Sequence, residues 1–269
     1  MSMFHFNQHN PTEREIVRLL AFGEGIISRE QFLETANRTM LSRFRTAGLI
    51  KQKPDSGKGV FTITEKFKQA YLQQVNPDHR FSGSGSQNHA AILQDALKLI
   101  PPAAKLTSGQ TLKTELERYQ KTADYQRKEG EIREQYRQAR EQARAEIAQT
   151  KTPMDRYEAL SSFNHYNKLY NLDKLVSAPD LKMTLTASQL DELLTALHNR
   201  HLNDDRLTER QRECTRDAIR TLQQVQATMT ETTVEICVEA ITDNYGRIEL
   251  ETKENCSAVL NMPILYFAG

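Results

Sequence analysis

The chain has 269 residues, of which 38% are hydrophobic and 26% are charged, and its formal net charge is +1. This length allows one large domain or two compact ones, and the composition excludes collagen-like, low-complexity and membrane proteins. No apolar stretch approaches the ~18 residues that span a bilayer, and residues 1–10 lack the apolar block of a secretory signal, so we expect a cytoplasmic protein. The cysteines form no C-x-x-C pair, which predicts reduced thiols that act as small buried hydrophobes.

The near-neutral total charge conceals an uneven distribution along the chain. Residues 1–80 carry 12 Lys and Arg against 8 Asp and Glu, whereas residues 177–269 carry 9 against 15. Within residues 38–68 there are 8 basic side chains and 2 acidic ones. This local excess of positive charge predicts an anionic partner for the N-terminal third of the chain.

Three short helices are predicted in this N-terminal third, each by local capping signals. The first begins at Asn10-Pro11, an N-cap followed by a proline at the first helical position. The second begins after Ser28, and Gln31 completes its capping box. The third covers Arg38–Ala47 and ends at Gly48, where a left-handed residue is favoured.

A β-hairpin and a further helix follow the third helix. Residues 49–53 and 60–63 are predicted strands, and residues 54–59, which include one proline and two glycines, form the tip between them. The next helix is predicted over Glu65–Gln74. Hydrophobic residues in these segments predict a small core beneath the hairpin.

The order helix, helix, helix, hairpin, helix resembles the winged helix-turn-helix domain of bacterial regulators. The resemblance is clearest in Met40–Lys51, which corresponds to the recognition helix and first strand, and in Phe61–Lys66 after the hairpin tip. It implies that this region binds duplex DNA and that the protein acts in transcription regulation.

Projection of the third helix at ~100° per residue separates an inward apolar face from an outward cationic face. Met40, Leu41 and Phe44 point inward. Arginine pairs with guanine edges and Ser or Thr bonds to bases or phosphates, so we expect the outward side chains to enter the major groove. The hairpin lysines would meet phosphates. The candidate DNA-binding residues are Arg38, Thr39, Ser42, Arg43 on the flank, Arg45, Thr46, Lys51, Lys53 and Lys58.

Alternating glycine and serine predict a flexible linker at residues 81–88. We therefore divide the chain into a winged-helix domain, residues 1–80, and a helix-rich second domain, residues 89–269. A helix ended by Pro101-Pro102 opens the second domain, and we interpret His89 as a helix-start residue rather than a catalyst.

Residues 110–151 are rich in Glu, Gln, Arg, Lys and Ala, which predicts a long exposed helix or a helical pair interrupted at Gly130. A thin apolar seam along this segment is suited to a partner helix. The seam either docks on its own domain or forms a homodimer, and the sequence favours neither. Further helices are predicted after the capping box at Thr186 and over Thr208–Met229.

The C-terminal end combines strands with a helix. Thr233–Ile241 is a predicted strand with Glu235 and Glu239 on one face, followed by a helix over Ile248–Leu260 and a closing strand over Pro263–Phe267. The predicted fold class is therefore mainly α with a small β component, α+β. It comprises an N-terminal winged helix and a helix-rich second domain that ends in a small α/β element.

A broader resemblance joins the winged helix and the Gly/Ser linker to Lys113-Thr114-Glu115, to Glu239–Gly246 and to Lys253 in a helix. This arrangement is similar to replication-relaxation-type proteins of plasmids and integrative elements, whose second domain is akin to the PD-(D/E)xK nuclease fold. The resemblance implies a PD-(D/E)xK-like core in which carboxylates hold Mg²⁺ and a lysine orients water. The matching positions are Glu115, Asp180, Glu239 and Lys253.

Two features depart from the nuclease pattern. Cys237 and Ile241 stand two residues after Glu235 and Glu239, where lysine is expected. Asp180 precedes a predicted helix cap more obviously than a strand. A lysine that has migrated to position 253 could complete the site, but both departures favour a degenerate, inactive fold or ordinary surface carboxylates.

Three functional hypotheses follow from these patterns. The first is sequence-specific binding of double-stranded DNA without catalysis, as a transcriptional regulator or an accessory replication or transfer factor of a mobile element. The second is a Mg²⁺-dependent nuclease, the only case in which a cofactor is expected. The third is a protein-interaction scaffold built on the helices of residues 110–151. The cationic face of the third helix could also be a solvated surface or a protein contact.

Overall fold

The computed structural model describes residues 4–54, 56, 59–82 and 86–269. Helices predominate and the strands form two small sheets, which confirms the predicted class, mainly α with a small β component. The chain folds into two compact units. The first unit contains residues 1–112, 179–244 and 263–269, and the second contains residues 113–178 and 245–262.

The N-terminal helices begin where their capping signals predict. The Asn10 side chain accepts a hydrogen bond from the Glu13 amide, and Ser28 and Gln31 form a reciprocal capping box. Asn37 caps the third helix through the Met40 amide. The elements are α1 (Pro11–Phe22), β1 (Ile26–Ser28), α2 (Arg29–Thr35), α3 (Arg38–Thr46), β2 (Ile50–Gln52), β3 (Val60–Ile63) and α4 (Glu65–Gln74).

The N-terminal sheet contains one strand more than the predicted hairpin. β1 pairs antiparallel with β3, which lies between β1 and β2. Three residues are too few to show an alternating pattern, so β1 carries no sequence signal of its own. Gly48 has a φ of +71° and turns the chain from α3 into β2, as predicted. The strands β2 and β3 with the described residues that flank them, 50–54 and 59–63, are called the wing.

The inward face of α3 packs as predicted. Leu41 and Phe44 are buried, and Met40 and Ala47 are half-buried against the same core. Phe44 meets Phe32 of α2 edge to face, with 5.7 Å between the ring centroids. Burial of this face fixes which side of α3 remains exposed.

The remainder of the chain builds a four-stranded sheet and a set of long helices. The sheet order is β4-β5-β6-β7, with β6 and β7 parallel and the other pairs antiparallel. The elements are α5 (Gln87–Leu99), β4 (Lys105–Ser108), α6 (Gly109–Tyr119), α7 (Ala123–Gln149), α8 (Pro153–Tyr170), β5 (Leu181–Thr186), α9 (Ala187–Asn203), α10 (Glu209–Thr228), β6 (Thr233–Ile241), α11 (Arg247–Leu260) and β7 (Ile264–Ala268).

The sequence predicted β6 and β7 but not β4 and β5. β4 has only four residues, which give a weak alternating pattern. β5 ends at Thr186, the N-cap of α9, so the sequence signal at its end is that of a helix start. Asp180 therefore immediately precedes a strand, and the expectation that it precedes a helix cap was wrong. β5 is identified by its antiparallel pairing with β6, in which residues Leu181 to Thr186 of β5 take part.

The predicted boundary near residue 80 falls inside the first unit. His79 Nε2 lies 3.2 Å from the Ala21 carbonyl, and the Ser108 hydroxyl donates to the Arg80 carbonyl. Arg18 Nη2 also donates to the Ile100 carbonyl, at 2.9 Å. The contacts of Ser108 and Arg18 join residues before the Gly/Ser segment to residues after it within one compact unit.

The second unit uses the predicted apolar seam for its own core. Leu116, Tyr125 and Ile132 pack with residues of α11 and of the segment before β5. α7 continues through Gly130, so the predicted interruption there was wrong; the break instead lies before the Thr122 cap. Leu116 and Ile132 of the seam are therefore buried by residues of their own unit, and burial of these two side chains requires no second chain.

From the composition we expected buried, reduced cysteines and a protein outside the membrane class. Cys237 and Cys256 are buried and Cys214 is half-buried, and none of the three forms a disulfide. Among the helices of the described residues, none has the length and apolar character needed to cross a membrane.

We expect Gly109→Ala to destabilise the first unit. A Cβ at this position would lie 2.7 Å from the Pro179 carbonyl oxygen and 2.8 Å from that of Asp180, so backbone must shift. The expected loss is about 2 kcal/mol in the free energy of unfolding, measured by urea denaturation.

Gly130→Ala provides the matched control for this substitution. A Cβ at Gly130 meets nothing within 4 Å, and the residue lies inside α7. Alanine should therefore stabilise the helix by about 0.5–1 kcal/mol. Equal effects of the two substitutions would contradict the close approach at Gly109.

Candidate nucleic-acid interface and acidic cluster

α3 presents most of the predicted DNA-binding residues on one exposed face. The inward side chains Leu41 and Phe44 anchor the helix in the core, so its opposite side faces solvent. The exposed residues of this face are Arg38, Thr39, Ser42, Arg43, Arg45 and Thr46.

A cleft of about 300 Å³ lies between α3, the start of α2 and the wing. Arg29, Arg38 and Arg45 line it together with Ser42. Among the residues that the structure describes, no acidic side chain lines this cleft. Arg45 lies over the Phe61 ring of β3, with 5.6 Å from its guanidinium carbon to the ring centroid.

Arg29 was not among the predicted residues. Its amide donates to the Gly59 carbonyl at 2.6 Å, which ties the start of α2 to the wing. In the sequence Arg29 is only the residue after an N-cap, with no periodic signal. The pairing of β1 with β3 brings it to the cleft.

Arg43 differs from the other arginines of α3 because it has an internal partner. Its guanidinium pairs with Glu13, a side chain only 1% exposed, and lies over the Phe4 ring. Glu13 Oε1 also accepts from the Asn7 amide at 3.0 Å. Arg43 therefore neutralises a buried carboxylate, and its exposed edge remains available to solvent.

The wing lysines are only partly described. Lys51 is exposed on β2 and Lys53 is half-buried just after it. Lys58 lies outside the described residues. Lys51 is on the same hairpin as Phe61, one wall of the arginine-lined cleft.

Asp180 and Glu239 come together at the strand ends of the first unit. The Asp180 amide donates to Glu239 Oε2 at 3.0 Å, and the Ala240 amide donates to Asp180 Oδ2 at 2.9 Å. Glu239 is 1% exposed, whereas Glu235 on the same strand is exposed. The sequence placed Glu235 and Glu239 on one face but could not show that only one is buried.

His89 joins this cluster through two carboxylates. Its Nε2 lies 3.0 Å from Asp180 Oδ2, and its Nδ1 lies 3.1 Å from Glu24 Oε1. Hydrogen bonds to Asp180 and then to Glu24 raise the pKa of His89 to about 10, against the opposing effect of burial. His89 does begin a helix, as interpreted, but it also carries a positive charge between two acids.

The cluster as arranged does not fit a Mg²⁺ site. Mg²⁺ requires open oxygen ligands in a near-octahedral arrangement, and Asp180 Oδ2 already accepts from His89 and from the Ala240 amide. Among the described residues, no group of three or more His, Cys, Asp or Glu side chains is placed to hold a metal ion.

The other two positions of the implied nuclease site belong to the second unit. Glu115 is exposed on α6. Lys253 is largely buried on α11, and its ammonium donates to the Ala178 carbonyl at 2.6 Å. The local contacts of Lys253 support the segment before β5.

We expect His89→Gln to destabilise the protein by about 2 kcal/mol near pH 6, because it leaves two largely buried carboxylates without a cation. The free energy contributed by His89 is complete below its ordinary pKa of 6.5 and is lost as the pH rises towards about 10. The difference in unfolding free energy between wild type and His89→Gln should therefore shrink over this range. Urea denaturation at several pH values measures it.

His9→Gln is the control, because His9 is exposed. It should leave the pH dependence unchanged. A wild-type to His89→Gln difference that stays constant from pH 6 to pH 10 would contradict the charged imidazole.

Comparison of the chain with known protein families, with curated proteins and with solved structures found no match. Functional inference therefore depends on the geometry and charge of the residues described above.

Proposed function

We propose that this protein binds double-stranded DNA sequence-specifically through α3 and the wing, as a transcriptional regulator or an accessory replication or transfer factor of a mobile element. The observation that carries the proposal is the arginine-lined cleft beside the exposed face of α3. Arg29, Arg38 and Arg45 meet there, and among the described residues no acid lines it.

The chemistry of this face suits a groove rather than a simple solvated surface. A solvated surface intersperses acids with bases, as α7 does with its Glu134, Arg137 and Glu141 ion pairs. α3 instead has no acidic residue between Arg38 and Thr46. Arginine forks can pair with guanine edges, while hydroxyls such as Ser42 can bond to bases or phosphates.

The role in a mobile element is supported by the resemblance to replication-relaxation-type proteins. That resemblance joins a winged helix to a nuclease-like second part. The scaffold hypothesis has weaker support, because Leu116 and Ile132 of the seam pack within their own unit.

We expect Arg38→Ala and Arg45→Ala each to weaken DNA binding by about 1–3 kcal/mol if the side chain reaches a base edge. The probe is a duplex selected by the wild-type protein from a pool of genomic fragments, and electrophoretic mobility shift at several salt concentrations gives the affinities. A substitution that removes a phosphate contact should also reduce, by about one, the magnitude of the slope of the logarithm of the binding constant against the logarithm of the salt concentration.

Arg206→Ala is the matched control, since Arg206 is 93% exposed, belongs to the same unit and does not line the cleft. It should leave the affinity unchanged. Selection that retains no fragment above background, or an Arg45→Ala affinity equal to that of Arg206→Ala, would overturn the proposal.

Arg43 needs a separate test, because its loss also leaves Glu13 buried without a cation. Arg43→Ala should lower both stability and DNA affinity. In the double variant Glu13→Gln with Arg43→Ala the stability should recover in part, so any remaining affinity loss reports a direct DNA contact.

The nuclease hypothesis is favoured by one observation, the direct hydrogen bonding of Asp180 with Glu239 at the strand ends. It is opposed by His89, which engages the carboxylate that a metal would need. We therefore propose binding without cleavage as the main function.

We expect the protein to leave a bound supercoiled plasmid and a bound linear duplex intact with Mg²⁺ or Mn²⁺. Agarose electrophoresis after prolonged incubation measures this. Metal-dependent cutting that Asp180→Ala and Glu239→Ala abolish would establish the nuclease instead, with Glu235→Ala, an exposed carboxylate on the same strand, as the control.

A further inference from the structure

A second and larger cavity is lined by residues of α1, α4 and β4. It has a volume of about 880 Å³ and lies wholly within the first unit. This volume falls within the roughly 300–1,000 Å³ typical of small-molecule sites. Neither the DNA-binding proposal nor the carboxylate cluster uses it.

The walls of the cavity are mainly apolar. The apolar lining comprises Val17 and Phe22 of α1, Leu106 of β4, Tyr71 of α4 and Val75, the C-cap of α4. Val75 is 45% exposed, which is unusual for a large aliphatic side chain beside a core. These walls could cover a flat or extended hydrocarbon group.

More cationic than anionic side chains line the cavity. Glu13, Glu15 and Glu34 line it, but each already has a cation, respectively Arg43, Arg18 and Lys98. By contrast, two lining cations have no ion pair among the described residues. These cations are Arg14 of α1 and Lys105 of β4, and both are exposed.

An apolar wall with unpaired cations at its edge complements a ligand that has an apolar body and one anionic group. We propose that this cavity binds an amphipathic organic anion, a carboxylate or sulfonate carried on an aromatic or aliphatic body. Val17, Phe22, Leu106 and Val75 hold the apolar body. Arg14 and Lys105 pair with the anionic group.

The site can be tested with 8-anilinonaphthalene-1-sulfonate, an aromatic anion whose fluorescence rises in apolar surroundings. Titration of the full-length protein should give a saturable rise. Lys105→Glu and Arg14→Glu should each raise the dissociation constant about tenfold, because each removes a charge-assisted contact and adds a repulsion. Val75→Glu should also weaken binding by introducing a charge into the wall.

Leu202→Glu is the matched control for Val75→Glu, because Leu202 is an exposed aliphatic residue of α9 outside the cavity. Arg206→Glu is the control for the two charge reversals. Both controls should bind the probe as wild type does, and circular dichroism with thermal unfolding should show that all variants remain folded.

Displacement of the fluorescent probe by amphiphiles of opposite charge tests whether the cavity prefers an anion. Decanoate should displace the probe, whereas decylammonium, which has the same apolar chain and the opposite charge, should not. Absence of a saturable rise, equal displacement by both competitors, or unchanged binding by the folded Lys105→Glu and Val75→Glu variants would overturn the proposal. DNA binding enters none of these measurements, so failure here leaves the proposed function unaffected.

Discussion

The ion pairs of His89 hold two distant parts of the chain in one compact unit. Glu24 lies between α1 and β1, and Asp180 lies before β5, yet both carboxylates meet the same imidazole ring. Carboxylates that are largely removed from water need a cation, and His89 supplies it. Glu24 adopts a left-handed φ of +58°, an uncommon conformation for this residue type that the ion pair helps to maintain.

This arrangement connects Glu24, before the Gly/Ser segment, with His89 and Asp180, after it, within the first unit. Residues 83–85 of this segment lie outside the described residues. The contacts on either side of the segment join these parts of the chain within the first unit. Arg18 and Gln94 add further links, to the Ile100 and Ile26 carbonyls respectively. The orientation of α3 is consequently tied to the four-stranded sheet through packed, hydrogen-bonded elements within the first unit.

The arginines of α3 divide into two groups according to their partners. Arg43 compensates the buried Glu13, whereas Arg38 and Arg45 face an arginine-lined cleft. Glu13 also lines the larger cavity, so one carboxylate connects the cavity wall to the proposed DNA-binding helix. Asp180, like Glu13, is a largely buried carboxylate that pairs with a cationic side chain, in this case the His89 imidazolium. The nuclease resemblance would instead assign a metal ion to Asp180.

Local patterns determined the helix starts, the Gly48 turn, the two strands of the wing and the inward face of α3, because caps and short periodicities act between neighbouring residues. The outward position of Arg45 on the third helix also followed from this periodicity, whereas Asp180 and Glu239 were singled out only by the resemblance to replication-relaxation-type proteins. Tertiary structure alone decided that β1 pairs with the wing, that β4 and β5 complete a sheet, and that Glu239 is buried while Glu235 is exposed. It also decided the charge of His89, since its partners lie far away in sequence and only folding brings their carboxylates within hydrogen-bond distance.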